Sequence, residues 1–314
     1  MEYRYLGNSG LQVSVVGLGC NNFGGRLDAR QTADVINKCV DMGITFFDTA
    51  DVYGGRGKSE EFMGPAIKPH RRNIVLATKS FSPMGEGPYW QGASRKYIMD
   101  AVEDCMRRLE TDYIDLYQMH RPDPKTPIEE TLRALEDLVR SGKVRYIGSS
   151  NYAAWQVVEA HFTSKENHLS SYISAQNEYS LLQREPEQNG LTAVCEKFNV
   201  GLLPFFPLAS GFLTGKYRPG EPAPEGSRLS GASPMAARFL KEDNYDTLMK
   251  LEGFAQERGH TMVELAISWL ASKPYVGSVI AGATRPEQVE ENARSGDWRL
   301  NNDEMAEIDA IMGV

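Results

Sequence analysis

The sequence is poor in metal-binding and cross-linking residues: 4 cysteines and 5 histidines in 314 residues. Cys20, Cys39, Cys105 and Cys195 stand far apart with no C-x-x-C pair, which argues against a zinc cluster and against a disulfide framework. Reduced, buried thiols are expected, and no metal site. Basic charge is also short. With 34 Lys and Arg against 42 Asp and Glu, the net charge is −8, so the electrostatic footprint of a nucleic-acid binder is missing. Long apolar runs are missing too. The charge-free stretch from Tyr5 to Gly25 is broken by Gly, Ser and Asn, and that from Phe198 to Gly215 by Pro204 and Pro207, so neither reads as a membrane span. The opening Met-Glu-Tyr-Arg-Tyr has no basic region followed by an apolar one. A cytoplasmic protein with no membrane association is expected.

What is present is ordinary globular material, 41% hydrophobic, 10% aromatic and 24% charged. The length suits either two domains or one (β/α)8 barrel with insertions. Strand-like runs decide between them. They occur at Val15 to Leu18, Thr45 to Asp48, Ile74 to Thr78, Tyr113 to Gln118, Val144 to Gly148, Ile173 to Gln176, Gly201 to Phe205 and Ser278 to Ala281. An earlier segment, Tyr5 to Val13, has an Asn8-Ser9-Gly10 turn suited to a hairpin. Between the runs the apolar spacing becomes helical, as at Ile98, Val102, Cys105 and Leu109, and at Ile128, Leu132, Leu135 and Val139. Met42-Gly43 and Ser141-Gly142 read as helix ends, and Thr261 with Glu264 as a capping box opening a helix from Met262 to Ala271. Pro207 to Lys241 is the one long irregular stretch. Repeated βα units with no compositional break predict an α/β fold: one TIM barrel over residues 1–314, with an N-terminal hairpin and a long loop after its seventh strand.

A barrel of this kind carries its chemistry at the C-terminal ends of its strands. There the sequence places Asp48, Lys79 and His120, with Tyr53 five positions beyond Asp48. These four make a proton-handling set. A tyrosine of pKa ~10 is a poor acid near neutrality unless a cation stabilises its phenolate. Lys79 is the candidate cation: a pair ~4 Å apart at an effective dielectric of ~20 gains roughly 4 kcal/mol, about 3 pKa units before desolvation. Asp48 would hold the ammonium in place.

Phe46-Phe47-Asp48-Thr49-Ala50-Asp51-Val52-Tyr53-Gly54, Ala77-Thr78-Lys79, Asp115-Leu116-Tyr117-Gln118-Met119-His120 and Gly148-Ser149-Ser150-Asn151 carry a specific resemblance. Together they resemble the aldo-keto reductase superfamily, nearly end to end, and the potassium-channel β subunit-like branch more than aldose reductase. The resemblance implies an NADP-dependent oxidoreductase that passes hydride from nicotinamide to an aldehyde or ketone carbon without a metal. It implies Tyr53 as proton donor, His120 orienting the carbonyl, and Lys79 and Asp48 tuning Tyr53.

The dinucleotide would not sit on a Rossmann turn. Gly17-Leu18-Gly19-Cys20-Asn21-Asn22 has Asn22 where a third glycine is needed and does not open a helix. It reads as a tight turn leaving the first strand, which puts Gly19, Cys20 and Asn21 at the mouth beside Asp48 among the cofactor-binding candidates. The phosphates need loops and helix N-termini near the last strands. Ile280 to Asn292 meets that need, with small residues, Pro286 in a helix's first turn, and Arg285 as a bidentate phosphate donor. By resemblance, Gly282, Thr284, Arg285 and Gln288 lie near a 2′-phosphate, and Glu291 and Asn292 near adenine. Many relatives carry Lys where Gly282 aligns and Arg where Gln288 aligns, so preference for NADP(H) rests on Arg285, and NAD(H) stays open. Ser150, Asn151 and Gln176 resemble the carboxamide ligands, whose amide and hydroxyl groups suit an amide partner. Phe205 replaces the stacking aromatic. After Phe206, the stretch from Pro207 to Tyr217, with Leu208, Ala209, Ser210 and Gly211, resembles the one that crosses the pyrophosphate, where Lys216 and Arg228 supply charge. The loop from Pro219 to Ser233 is expected to fold over bound cofactor.

Phe23, Tyr89, Trp90 and Phe239 are candidate aromatics of a pocket for a small carbonyl substrate. Two other functions remain open at this point: a cofactor-binding regulatory or redox-sensing subunit with little turnover, and a sugar dehydrogenase working oxidatively. Oligomeric state is not legible.

Overall fold

In the computed structural model, which describes residues 1–313, β1 (Tyr3–Tyr5) and β2 (Gln12–Ser14) pair antiparallel as a hairpin. The remaining strands are β3 (Val16–Gly19), β4 (Phe46–Asp48), β5 (Val75–Ser80), β6 (Ile114–Met119), β7 (Val144–Ser150), β8 (Ser174–Glu178), β9 (Gly201–Phe205) and β10 (Val279–Gly282). They pair in parallel and close in the order β10-β3-β4-β5-β6-β7-β8-β9, with helices between them, so the fold is a (β/α)8 barrel.

Several strands run further toward their C-terminal ends than the apolar runs indicate, and Lys79 lies within β5 rather than after it. The reason is closure. Each strand is hydrogen-bonded on both sides, so the ladder continues into polar residues, pairing Lys79 with Gln118 and Ser80 with Met119.

Alternation along each strand separates two interiors. Phe46, Val75, Ala77, Leu116, Leu203 and Ile280 point into the lumen and form one buried cluster, completed by Leu6 and Val13 at the hairpin. Phe47, Leu76, Tyr117 and Ile147 belong to the larger cluster that the strands share with the helices. The helix Arg95–Arg108 buries Ile98, Val102 and Cys105 there, and Leu109 caps it. The helix Ile128–Arg140 buries Leu132, Leu135 and Leu138, while Ile128 and Val139 at its ends are partly buried. Each fully buried leucine contributes roughly 2 kcal/mol of transfer free energy.

The turn signals are realised. Gly43 and Gly142 follow the helix-ending Met42 and Ser141 with φ of 76° and 77°, left-handed values that favour glycine. Thr261 and Glu264 form the reciprocal box at the start of the helix Met262–Ala271. The stretch expected to be irregular carries a short turn of helix, Ala209–Thr214, and a helix, Pro234–Phe239. All four cysteines are unpaired and buried. No helix among the described residues is long and apolar enough to cross a membrane, and no group of three or more His, Cys, Asp or Glu among them is placed to hold a metal ion.

Candidate active site

The lumen changes character toward the C-terminal ends of the strands, where Asp48, Lys79, Gln118 and Gln176 replace the apolar layer. Lys79 Nζ donates to Asp48 Oδ2 at 2.7 Å and to the carbonyl of Thr49 at 2.7 Å. Its side chain is 0% exposed. Gln118 Nε2 and Gln176 Nε2 donate to the other carboxylate oxygen, Asp48 Oδ1, at 3.1 and 2.9 Å. A buried ion pair is tolerated when hydrogen bonds satisfy its remaining lone pairs, and both oxygens of Asp48 are engaged. Burial opposes the Lys79 charge, but Asp48 and Tyr53 outweigh it, so the ammonium holds its proton above the usual lysine value.

Tyr53 sits above this pair, with Lys79 Nζ 5.1 Å from its ring centroid. The expected fall in its pKa is not what the structure gives. Burial pushes the phenol up, Asp48 adds to that, and the opposing pull of Lys79 does not overcome them, so Tyr53 lies above its ordinary value. The cation offsets desolvation rather than exceeding it. His120 meets the Tyr53 ring edge-on, with centroids 5.7 Å apart and planes at 78°. Burial, with Lys79 and Arg121 nearby, lowers the imidazole to about 3, so it is neutral at physiological pH, and its Nδ1 is buried without a protein partner. Asn151 has φ of 59°, and this left-handed turn lets its Nδ2 donate to the carbonyl of His120 and to Ser150 Oγ, each at 3.0 Å.

A cavity of about 580 Å³ runs from this set to the far rim. Tyr53, Asp48 and His120 line one end, and Lys79 lies beneath them. Its wall contains Gly19, Cys20 and Asn21, then Ser150, Asn151 and Gln176, then Phe205, Phe206, Pro207, Leu208, Ser210, Gly211 and Lys216. Arg228 and Gly282, Thr284, Arg285, Gln288, Glu291 and Asn292 complete it, so nearly all the residues expected from sequence converge on one space. Ala209 is the exception among the cofactor candidates. It is fully buried, and its φ of 45° shapes the turn from behind.

The aromatic candidates do not converge. Phe23 and Phe239 are packed in the core at 0% and 2% exposure and do not line the cavity. Tyr89 and Trp90 are exposed at 64% and 48% on the loop after β5, outside the cavity wall. Aromaticity alone could not separate core, surface and pocket. Conversely, Asn22, Arg26 and Gln118 take part without having been singled out. Gln118 was detectable in principle, because it lies two residues before His120 on the lumen face of β6. Asn22 links the rims: it donates to the carbonyl of Ala283 at 3.3 Å and accepts from Arg228 Nη2 at 2.9 Å.

The cavity suits an elongated, phosphate-bearing group. The helix Pro286–Ser295 opens at its wall with no side chain capping its first amides, leaving donors for an anion. Ser210 Oγ is buried there without a partner. Phe206, Ala209 and Ser210 all have positive φ, a strained run of the kind held at binding sites.

A (β/α)8 barrel with a buried Lys-Asp pair beneath a tyrosine and a neutral histidine, at one end of a dinucleotide-sized cavity, defines an oxidoreductase scaffold. The profile of the aldo/keto reductase family matches residues 15–312, and the chain belongs to that family. It is 40% identical over 303 residues to a probable voltage-gated potassium channel subunit beta of Arabidopsis thaliana, covering 95% of this chain and 92% of the other. It is 36% identical over 321 residues to the L-glyceraldehyde 3-phosphate reductase of Escherichia coli K12, covering 98% and 92%. A putative voltage-gated potassium channel subunit beta of Schizosaccharomyces pombe is 35% identical over 326 residues, covering 99% and 93%. Membership makes this chain an oxidoreductase of the nicotinamide-dependent class that acts on small carbonyl compounds.

Proposed function

We propose that this protein reduces aldehydes or ketones to alcohols with NADPH, Tyr53 giving the proton. The observation that carries this reading is the Tyr53 ring facing the ammonium of the Lys79-Asp48 pair, with His120 beside it, at one end of the cavity. The nicotinamide, when bound, supplies hydride to the carbonyl carbon. The chain's own residues handle the rest. Tyr53, which burial raises above its ordinary value, carries its proton at neutral pH and can donate it. Lys79 then stabilises the phenolate left behind, in a setting where water screens the attraction little. Asp48 fixes the ammonium through Oδ2, while Gln118 and Gln176 fix Asp48. His120, neutral and anchored through its backbone by Asn151, is available to hydrogen-bond the substrate oxygen.

Ser150, Asn151 and the Oε1 of Gln176 would hold the carboxamide, and Phe205 the nicotinamide face. Lys216, Arg228 and Arg285 would take the phosphates. Thr284 donates through its amide and hydroxyl to Gln288 Oε1 at 2.8 and 3.1 Å, which orders the turn carrying Arg285. The strap after Lys216 reaches the rim beyond β3, since Arg26 Nη2 donates to the carbonyl of Gly226 at 2.7 Å.

The test is NADPH consumption on a panel of carbonyl compounds, with Tyr53→Phe lowering kcat on the order of 10²–10⁴-fold. Wild-type turnover that survives Tyr53→Phe would remove the proton-donor role. The two channel-subunit relatives support a second reading, a cofactor-binding regulatory subunit, and tight NADPH binding without turnover on any carbonyl would favour it. NADPH and NADH titrated side by side test the role of Arg285, which equal affinities would refute. Bound NADPH should also protect residues 219–233 from proteolysis, and unchanged cleavage would count against a closing strap.

A further inference from the structure

Five basic side chains line the cavity, and four of them lie on one side. Arg26 follows β3, Lys216 and Arg228 follow β9, and Arg285 follows β10, three strands that are neighbours in the barrel. The fifth, Arg121, follows β6, which is four strands from β10 in either direction. It therefore stands across the mouth from the other four, directly after His120. Lys216, Arg228 and Arg285 are the side chains assigned above to the cofactor phosphates and Arg26 bonds the strap through the carbonyl of Gly226, which leaves Arg121 unmatched.

Arg121 is exposed at the mouth, on a backbone that its neighbours fix. Its neighbour His120 donates its amide to the carbonyl of Ser80 at 3.0 Å, and Pro122 biases Arg121 toward an extended backbone. The nearest acid in sequence, Asp123, is committed elsewhere: it accepts from the amides of Ala93 at 2.8 Å and Lys125 at 2.9 Å and from Thr126 Oγ1 at 2.9 Å. Among the described residues no carboxylate lies within ion-pair distance of Arg121, whereas Arg26 and Arg228 have hydrogen-bond partners in the protein.

We infer that Arg121 binds an anionic group on the substrate, so that the carbonyl compound reduced here carries a carboxylate or phosphate on the side away from the cofactor. This rests on the reading of the site as a carbonyl reductase. A guanidinium offers two parallel donors to either anion, and binding there would hold the carbonyl end against Tyr53 and His120.

The experiment pairs anionic aldehydes with neutral ones of similar size, using NADPH and the intact protein: succinic semialdehyde with butanal, and glyceraldehyde 3-phosphate with glyceraldehyde. Wild type should favour at least one anionic member by tenfold or more in kcat/KM, and which pair shows it distinguishes carboxylate from phosphate. Arg121→Gln should reduce that ratio on the order of 10–100-fold, through KM rather than kcat, as lost charge-assisted hydrogen bonds require. Arg121→Lys should restore part of it. A wild-type ratio near one, or a ratio that survives Arg121→Gln, overturns the inference. If none of the four aldehydes is turned over, the reductase reading fails and the anion site is judged alone. Succinate and inorganic phosphate are then titrated into NADPH-loaded wild type and Arg121→Gln: binding lost in the variant supports the site, and binding equal in both, or absent from both, overturns it.

Discussion

Thr78 and Lys79 are neighbours on β5, yet they enter two different buried polar networks. Lys79 points into the lumen and pairs with Asp48 at 2.7 Å. Thr78 points into the strand-helix layer and donates to Glu60 Oε1 at 2.6 Å, while Glu60 Oε2 pairs with Arg108 at 2.7 Å. Both acids are almost wholly buried, and both ion pairs have nearly ideal lengths. Only the inner one has an open cavity above it. Burial and a short ion pair thus do not mark chemistry by themselves; access does, and the strand's alternation decides which network has it.

Breaking the inner network should have the largest effect on turnover. Lys79→Met removes the cation facing Tyr53 and should reduce kcat on the order of 10²–10⁴-fold, measured on NADPH-saturated, folded protein. Retained activity would mean that the pair is structural, like the outer one. Arg108→Leu attacks the outer network, where an uncompensated buried Glu60 should destabilise the fold by about 3–5 kcal/mol. Denaturant unfolding would show this, while kcat of the folded fraction should stay near wild type. A kcat collapse without loss of stability would erase the contrast.

Asp51 gives the smallest and most discriminating effect. It is buried on the outer side with Tyr97 Oη 3.4 Å from Oδ2, and burial, with Glu60 adding, raises its pKa to about 8. Between its ordinary value near 4 and that raised value, the folded state binds a proton that the unfolded state lacks. Stability therefore falls as pH rises through that window. Asp51→Asn should flatten the fall, so its melting temperature relative to wild type should rise by a few degrees between pH 5 and pH 8. Parallel profiles would show that Asp51 does not titrate there.

Much of this was legible in the sequence for definite reasons. Barrel strands are hydrogen-bonded on both sides and buried on both faces, so Ile74 to Thr78 and Gly201 to Phe205 stand out as compact apolar runs. Asp48, Lys79 and His120 stand out because each interrupts or closes such a run. The cavity wall was legible through motif resemblance at Ser150, Asn151 and Ile280 to Asn292. The aromatics were not, because Phe23 in the core and Trp90 at the surface share one composition signal and differ only in what packs around them. The lowered pKa expected of Tyr53 also failed, since spacing shows a cation nearby but not the volume of water excluded.

The sequence by itself determined the barrel, its turns and the proton-handling set, because periodicity, capping chemistry and residue type act locally and repeat eight times. The tertiary structure alone decided that Gln118 and Gln176 share one oxygen of Asp48 and that Glu60 faces away from the chemistry. It also decided that Arg121 stands opposite the other cations of the cavity. Those relations join residues far apart in sequence, Gln176 and Asp48 by 128 positions, and they exist only once closure has fixed the strand order and the face each side chain takes.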